Sequence, residues 1–224
     1  MSALLPAELA ALEQRFVLRE RDVVIGDVRW RLEMPRSAED LISEADFAQD
    51  ERLPYWADLW PSAIVLAEEV ASLEGAGRRA IEFGAGLGLP SLAAARAGYA
   101  VTVTDYYEDA LLFARRNAVR NGTPDFTTRL LDWRALPDGL GRFDLVLAAD
   151  VLYERHYSPL VARAVVGALA PAGMALIADP GRVALRACLE ECAAFGASVR
   201  ERRSVRHEDD VTKHTITLFE VRLG

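Results

Sequence analysis

The 224-residue chain predicts an α/β fold: a doubly wound, mostly parallel seven-stranded sheet, with a C-terminal antiparallel hairpin and a small N-terminal β-hairpin extension. Three observations carry this. From about residue 60 onward, helical stretches alternate with short apolar strand-like runs, the pattern of strand–helix–strand units around a parallel sheet. After residue 195 the alternation stops and two strand-like runs follow each other, which reads as an antiparallel pair. A composition of 51% hydrophobic and 27% charged residues supports a large interior and excludes a disordered, collagen-like or disulfide-stapled chain.

In chain order, Pro6 to Arg15 has a short helical pattern. Phe16 to Met34 then alternates like a strand, with Val28, Trp30, Leu32 and Met34 on one face and Gly26-Asp27 as a hairpin turn. Ser37 to Asp50 is acidic and contains a helix begun by Ser37, with Glu39 and Asp40 in its first turn, where they complement the helix dipole. The regular region follows: helices at 62–73, 88–97, 108–120, 157–169 and 182–195, and strands at 79–83, 100–104, 126–131, 143–149 and 174–178. Ser198 to Arg206 and Lys213 to Arg222 form the terminal pair around the polar His207-Glu208-Asp209-Asp210. No internal repeat, low-complexity tract or linker divides the chain. Residues 1–53 are therefore read as an extension, and 54–224 as the main domain.

With 34 acidic against 26 basic residues the net charge is -8, which opposes bulk nucleic-acid binding. Lys213 is the only lysine; the arginine excess reads as coding bias. The start lacks a basic segment followed by an apolar run, and no stretch reaches about 18 uncharged apolar residues. A soluble, cytoplasmic monomer without a membrane partner is expected. Cys188 and Cys192, four apart on a helix and without a nearby histidine, read as buried free thiols. His156, His207 and His214 have no metal-like spacing, so no metal site is expected. Glu68-Glu69 and Asp209-Asp210 read as solvated surface charge.

The informative segment is Glu82-Phe83-Gly84-Ala85-Gly86-Leu87-Gly88-Leu89. It sets three alternate glycines between a strand and a helix, where positive φ and close backbone approach to a ligand need no Cβ. It departs from the dinucleotide pattern G-x-G-x-x-G, because Leu89 stands at the third glycine, and it lacks the Lys-Ser/Thr pair of a Walker loop. Asp105 ends the next strand, 21 residues after Gly84, where a carboxylate can accept two ribose hydroxyl bonds.

The Glu82-x-Gly84-x-Gly86-x-Gly88 pattern with Asp105 resembles the first motif and downstream acid of class I S-adenosylmethionine-dependent methyltransferases, over roughly residues 54–224. That resemblance implies a Rossmann-like fold and S-adenosyl-L-methionine as cofactor. Its methionine part would lie near Glu82, Gly84 and Gly86, its ribose on Asp105, and its adenine along Tyr106, with Asp132 near the exocyclic amine and Trp133 beside it. Gly88 completes the glycine turn. An alternative for Asp132 is a helix N-cap.

Pro54-Tyr55-Trp56-Ala57-Asp58-Leu59-Trp60-Pro61 and Asp150-Val151-Leu152-Tyr153 resemble the seven-strand protein lysine methyltransferases that carry a D-x-x-Y motif. With Asp179-Pro180-Gly181-Arg182, they are similar to the branch that modifies the electron-transfer flavoprotein β-subunit. The resemblance implies a protein substrate presenting a lysine. Asp150 would orient the ammonium and then the amine, Tyr153 would border the amine channel, and Trp60 would support the methionine end of the cofactor. Trp56 and Arg182 are the substrate-binding candidates. Each has a plainer alternative: Asp150 as a cap of helix 157–169, the aromatics as core packing, Arg182 as part of a turn. Three competing functions share this pattern: a small-molecule N- or O-methyltransferase, a cofactor-binding module without turnover, and, least supported, an NAD-dependent dehydrogenase.

Overall fold

The computed structural model describes residues 12–37, 41, 54–208 and 213–224. The expected helix at 37–50 lies almost wholly outside them, and of the N-terminal helix only 12–15 is described, as helix. Strands β1 (Leu18–Ile25) and β2 (Val28–Pro35) pair antiparallel from Leu18↔Pro35 to Ile25↔Val28. Gly26 takes the turn at a φ of 56°, left-handed backbone that a side chain disfavours.

The main body is a seven-stranded sheet. Its strands are β3 (Arg79–Phe83), β4 (Ala100–Asp105), β5 (Thr127–Leu130), β6 (Phe143–Ala149), β7 (Leu169–Asp179), β8 (Ala197–Glu208) and β9 (Lys213–Leu223). Their order is β5-β4-β3-β6-β7-β9-β8. Strands β5 to β7 in that row run parallel, and β9 is antiparallel to both β7 and β8. The chain moves outward from β3 to β5 and then returns to β6. The carboxyl ends of β3 and β6 therefore flank the crevice where open α/β sheets bind ligands.

Helices α1 (Pro61–Ala71), α2 (Leu89–Arg96) and α3 (Glu108–Arg120) share one apolar cluster with the hairpin residues Val23, Ile25, Trp30, Leu32 and Met34. Helices α4 (Ser158–Ala168) and α5 (Leu185–Ala194) share a second cluster with Ile81, Phe83, Val146 and Ile177. Alternate residues of the sheet thus face opposite layers, as period-two strands require. Cys188 and Cys192 are buried and free on α5. Among the described residues no helix is long and apolar enough to cross a membrane.

Three segments differ from the sequence expectation. Strand β7 begins at Leu169 rather than 174, with Pro171-Ala172-Gly173 carried within the strand. Helix α5 begins at Leu185 rather than 182, because the Asp179 carboxylate holds Gly181 and Arg182 in a turn through their amides, at 2.7 and 2.6 Å. The first terminal strand runs on to Glu208 rather than ending at Arg206, while the second starts at Lys213 as expected; Asp209 and Asp210 lie outside the described residues. Glu69 is not solvated surface: it pairs with Arg202 at 2.6 Å and Arg203 at 3.1 Å, tying α1 to β8.

The hairpin is docked by two asparagines one turn apart, Asn117 on α3 and Asn121 at its C-cap. Asn117 Oδ1 accepts from the Glu33 amide at 2.7 Å, and its Nδ2 donates to the Glu33 carbonyl at 3.1 Å. Asn121 repeats this with the amide and carbonyl of Arg31, both at 2.9 Å. Two side-chain amides thus do what a neighbouring strand would do for the open edge of β2. The Glu33 side chain is buried against Arg116. Asn117 Nδ2 also donates to the Leu87 carbonyl at 3.1 Å, so the same residue joins the hairpin to the glycine turn. Asn117→Ala leaves three buried backbone groups without partners and is expected to lower stability by about 2–4 kcal/mol. Asn121→Ala, whose site water reaches, is expected to lower it by about 1 kcal/mol or less. Urea denaturation of both variants against the parent chain checks the difference.

Candidate active site

One cleft opens at the carboxyl edge between β3 and β6. Trp56, Trp60, Glu82, Gly84, Gly86, Gly88, Asp105, Tyr106, Asp132, Trp133, Asp150 and Tyr153 all line it. Arg182 lies one contact away, through Asp150.

The glycine turn forms because its residues take conformations that side chains resist: φ is 64° at Gly84, 52° at Gly86 and 81° at Gly88. Space is short as well. A Cβ on Gly84 would stand 2.9 Å from Val151 and 3.3 Å from Trp133, and one on Gly88 would stand 2.8 Å from Ala114. Gly88 then hands the chain to α2, where Pro90 fits the first turn of the helix.

Two carboxylates face this turn. Glu82, on β3, is buried and accepts from both the Ser91 amide (2.9 Å) and the Ser91 hydroxyl at the start of α2. Burial outweighs these bonds and pushes its carboxyl up from 4.5 to about 8. Asp105, at the end of β4, accepts from the amides of Gly86 and Tyr107, both at 2.9 Å. Desolvation raises it too, against those same amides. Among the described residues neither carboxylate has a cationic partner.

At the other side of the cleft, Asp150 follows β6 at a φ of 56°, a left-handed conformation uncommon outside glycine. Its Oδ1 accepts from Arg182 Nε at 2.6 Å, and its Oδ2 lies 3.4 Å from the Ser62 hydroxyl. It does not cap α4, whose N-terminus has no side-chain cap. Arg182 is turned inward: its guanidinium lies 5.4 Å over the Trp60 ring. The hydrogen bond to Asp150 raises its pKa further. Beneath it Asp179 is fully buried, and desolvation pushes its carboxyl up from 3.8 to about 6.

An aromatic wall joins the two halves. Trp60 donates its indole N–H to the Tyr55 carbonyl at 2.8 Å. From there ring centroids step from Trp60 to Tyr55 (6.0 Å), to Tyr153 (4.9 Å), to Tyr157 (5.4 Å) and to Trp133 (5.6 Å). Trp56 departs from its expected place: its ring is buried among Phe16, Phe113 and Tyr107, because the hairpin and α3 offer it an apolar seat. What it gives the cleft is its backbone, with the carbonyl 3.1 Å from where a Gly86 Cβ would stand. Asp132 does cap a short turn, accepting from the Arg134 amide at 2.9 Å, and both its oxygens also bond the Arg134 guanidinium. Arg134 in turn covers the Tyr106 ring at 5.6 Å.

The model of a family described as "Lysine methyltransferase" matches residues 42–179 of this chain. The chain belongs to the lysine methyltransferase family. It is 37% identical over 105 residues to protein N-lysine methyltransferase METTL21A of Mus musculus, covering 43% of this chain and 48% of that protein. It is 33% identical over 118 residues to EEF1A lysine methyltransferase 3 of Mus musculus, covering 49% of each. The chain thus spans about half the length of these curated relatives. Among solved structures, the T. thermophilus 16S rRNA N2 G1207 methyltransferase (RsmC) superposes with a TM-score of 0.63 at 15% identity, over 92% of this chain and 51% of that one. At that identity the likeness is one of fold.

In this member of the lysine methyltransferase family, several residues in or behind the cleft carried no assigned role in the sequence. Tyr55 and Tyr157 enter the wall by folding. Ser62 and Ser91 are single hydroxyls on helices, and their pairing with Asp150 and Glu82 depends on tertiary approach. Arg134 was detectable only as a neighbour of Asp132. The buried Glu82 gives a pH test. Its folded pKa is raised above the unfolded value, so its contribution to stability is present below about 4.5 and is lost as pH rises through about 8. Glu82→Gln, which cannot ionise, is expected to flatten the fall in stability between pH 6 and 8 by about 2–3 kcal/mol. Chemical denaturation of both proteins across that range measures it.

Proposed function

We propose that this chain is an S-adenosylmethionine-dependent N-methyltransferase that transfers a methyl group directly to a lysine side chain of a protein. The observation that carries this reading is the pairing, across one cleft, of a positive-φ glycine turn with a buried carboxylate, Asp150, bordered by aromatic rings. Family membership and the lysine methyltransferase relatives support the acceptor class.

The residues present suit the cofactor. Among the described residues Glu82 and Asp105 are desolvated carboxylates without a cation beside them, and a ligand bearing an ammonium and a ribose diol satisfies both. Glu82, Gly84 and Gly86 would hold the methionine part and Trp60 would support it. Gly88 keeps the turn closed against α3. Asp105 would take the ribose hydroxyls, Tyr106 and Trp133 would flank adenine, and Asp132 would meet its amine by sharing the exposed Arg134 pair, which is weak in water. When bound, S-adenosylmethionine supplies a methyl group on a sulfonium, which departs as a neutral thioether. The protein's part is alignment and exclusion of water. Asp150 receives the acceptor ammonium, the proton leaves to water, and the same carboxylate orients the neutral amine while Tyr153 walls the channel. The amine lone pair forms the new N–C bond as the methyl–sulfur bond breaks.

In this reading residues 54–224 carry both sites and residues 1–53 are an N-terminal extension, in a cytoplasmic monomer. The segments at Trp60-Pro61 and Asp179 to Arg182 support the electron-transfer flavoprotein β-subunit as the first acceptor to try.

The test incubates the purified protein with methyl-labelled S-adenosylmethionine and a lysate lacking it, and separates macromolecules from metabolites. Label in a discrete protein, mapped to lysine, is expected, and Asp150→Asn is expected to reduce it about 100-fold or more. Label confined to small molecules would move the acceptor to a metabolite. Asp105→Ala is expected to weaken S-adenosylmethionine binding in calorimetry by about 10- to 100-fold without unfolding the protein. Unchanged affinity would refute the ribose assignment.

A further inference from the structure

The Asp150 side chain is almost fully buried, only 3% exposed, and an ionised carboxylate there is tolerable only with a cation against it. In this structure its own chain supplies that cation. Arg182 places Nε 2.6 Å from Oδ1 and its guanidinium 5.4 Å over Trp60. The backbone beneath is fixed, because the Asp179 carboxylate accepts from the Arg182 amide at 2.6 Å. The side chain itself remains 34% exposed. A positive group flanked by a carboxylate and an aromatic face is also the environment an acceptor ammonium needs. The oxygen it would use is taken by Arg182, and the other faces Ser62.

We infer that Arg182 is a resident cation that the acceptor ammonium displaces, which makes it a specificity-determining residue of this site. The inference rests on the reading of Asp150 as the acceptor carboxylate. Exchange keeps a positive charge against Asp150 until the acceptor gives up its proton: Arg182 swings toward solvent as the protonated lysine enters and returns when the product leaves. A neutral hydroxyl or amide offers no replacement charge, so its entry would leave Asp150 buried and unpaired. The site therefore selects protonated amines before any chemistry, and the exchange itself makes and breaks no covalent bond.

The test uses the full chain and n-butylammonium, a mimic of the lysine side chain, with n-butanol as the neutral control, both titrated by ligand-observed NMR. Arg182→Ala is expected to bind n-butylammonium at least about tenfold tighter than the parent chain. Asp150→Asn combined with Arg182→Ala is expected to abolish that gain, and n-butanol is expected to bind no better to either variant. Arg182→Met, which keeps the stem against Trp60 without the charge, is read in parallel and guards against a local collapse in the alanine variant. If neither single variant gains affinity, Arg182 is a static partner of Asp150 and the inference fails. An equal gain for n-butanol would also overturn it, since that reports only an opened cavity. Calorimetry with S-adenosylmethionine on the parent chain is a separate readout: its failure would refute the proposed function, while the alkylammonium comparison still decides the exchange.

Discussion

Four carboxylates buried along one edge of the sheet are the constraint on which the site depends. Glu82 lies on β3, Asp105 ends β4, Asp150 follows β6 and Asp179 ends β7. Parallel strands bring their carboxyl ends together, and each acid removed from water there needs a partner. Ser91, at the start of α2, serves Glu82. Amides of the glycine turn and its neighbour serve Asp105. Arg182 serves Asp150, and the amides around Gly181 serve Asp179. The local geometry follows from these pairings. Positive φ in the glycine turn aims an amide at Asp105, and the turn at Asp179 aims a guanidinium at Asp150.

The partners are unequal, and that inequality divides the edge into two kinds of chemistry. Among the described residues Glu82 and Asp105 have only neutral donors, so desolvation dominates and both carboxyls are raised. In the proposed function they form the half-site that meets the ammonium and hydroxyls of the cofactor. Asp150 holds a guanidinium and is already neutralised by its own chain. A ligand entering the first half adds charge compensation that was missing; one entering the second must replace what is there. The aromatic wall from Trp60 to Trp133 connects the halves.

The hairpin is coupled to this edge rather than simply laid beside it. Asn117 bonds β2 with one face of its amide and the Leu87 carbonyl of the glycine turn with the other nitrogen hydrogen. Trp56 packs its ring with Phe16 from the N-terminal part and holds its carbonyl over Gly86. The hairpin segment thus meets the glycine turn through two contacts, one polar and one apolar.

The sequence by itself determined the sheet, its two helical layers, the glycine turn and the acids at the strand ends. These are local features: hydrophobic period, glycine spacing and the position of a charge at the end of an apolar run are all written in consecutive residues. It also placed the hairpin, because Trp30, Leu32 and Met34 alternate with polar residues. Tertiary structure decided the partners. Whether Arg182 faces outward or pairs with Asp150, whether Trp56 lines a channel or fills a core, and whether Asn117 is a surface amide or a substitute strand all depend on residues 30 to 100 positions away. The hydrogen bond or ring contact that decides each case exists only once the layers have closed. The insertion of β9 between β7 and β8 has the same origin, since local alternation specifies a strand and a face, while the neighbour it pairs with is set by which sheet edge remains open when it arrives.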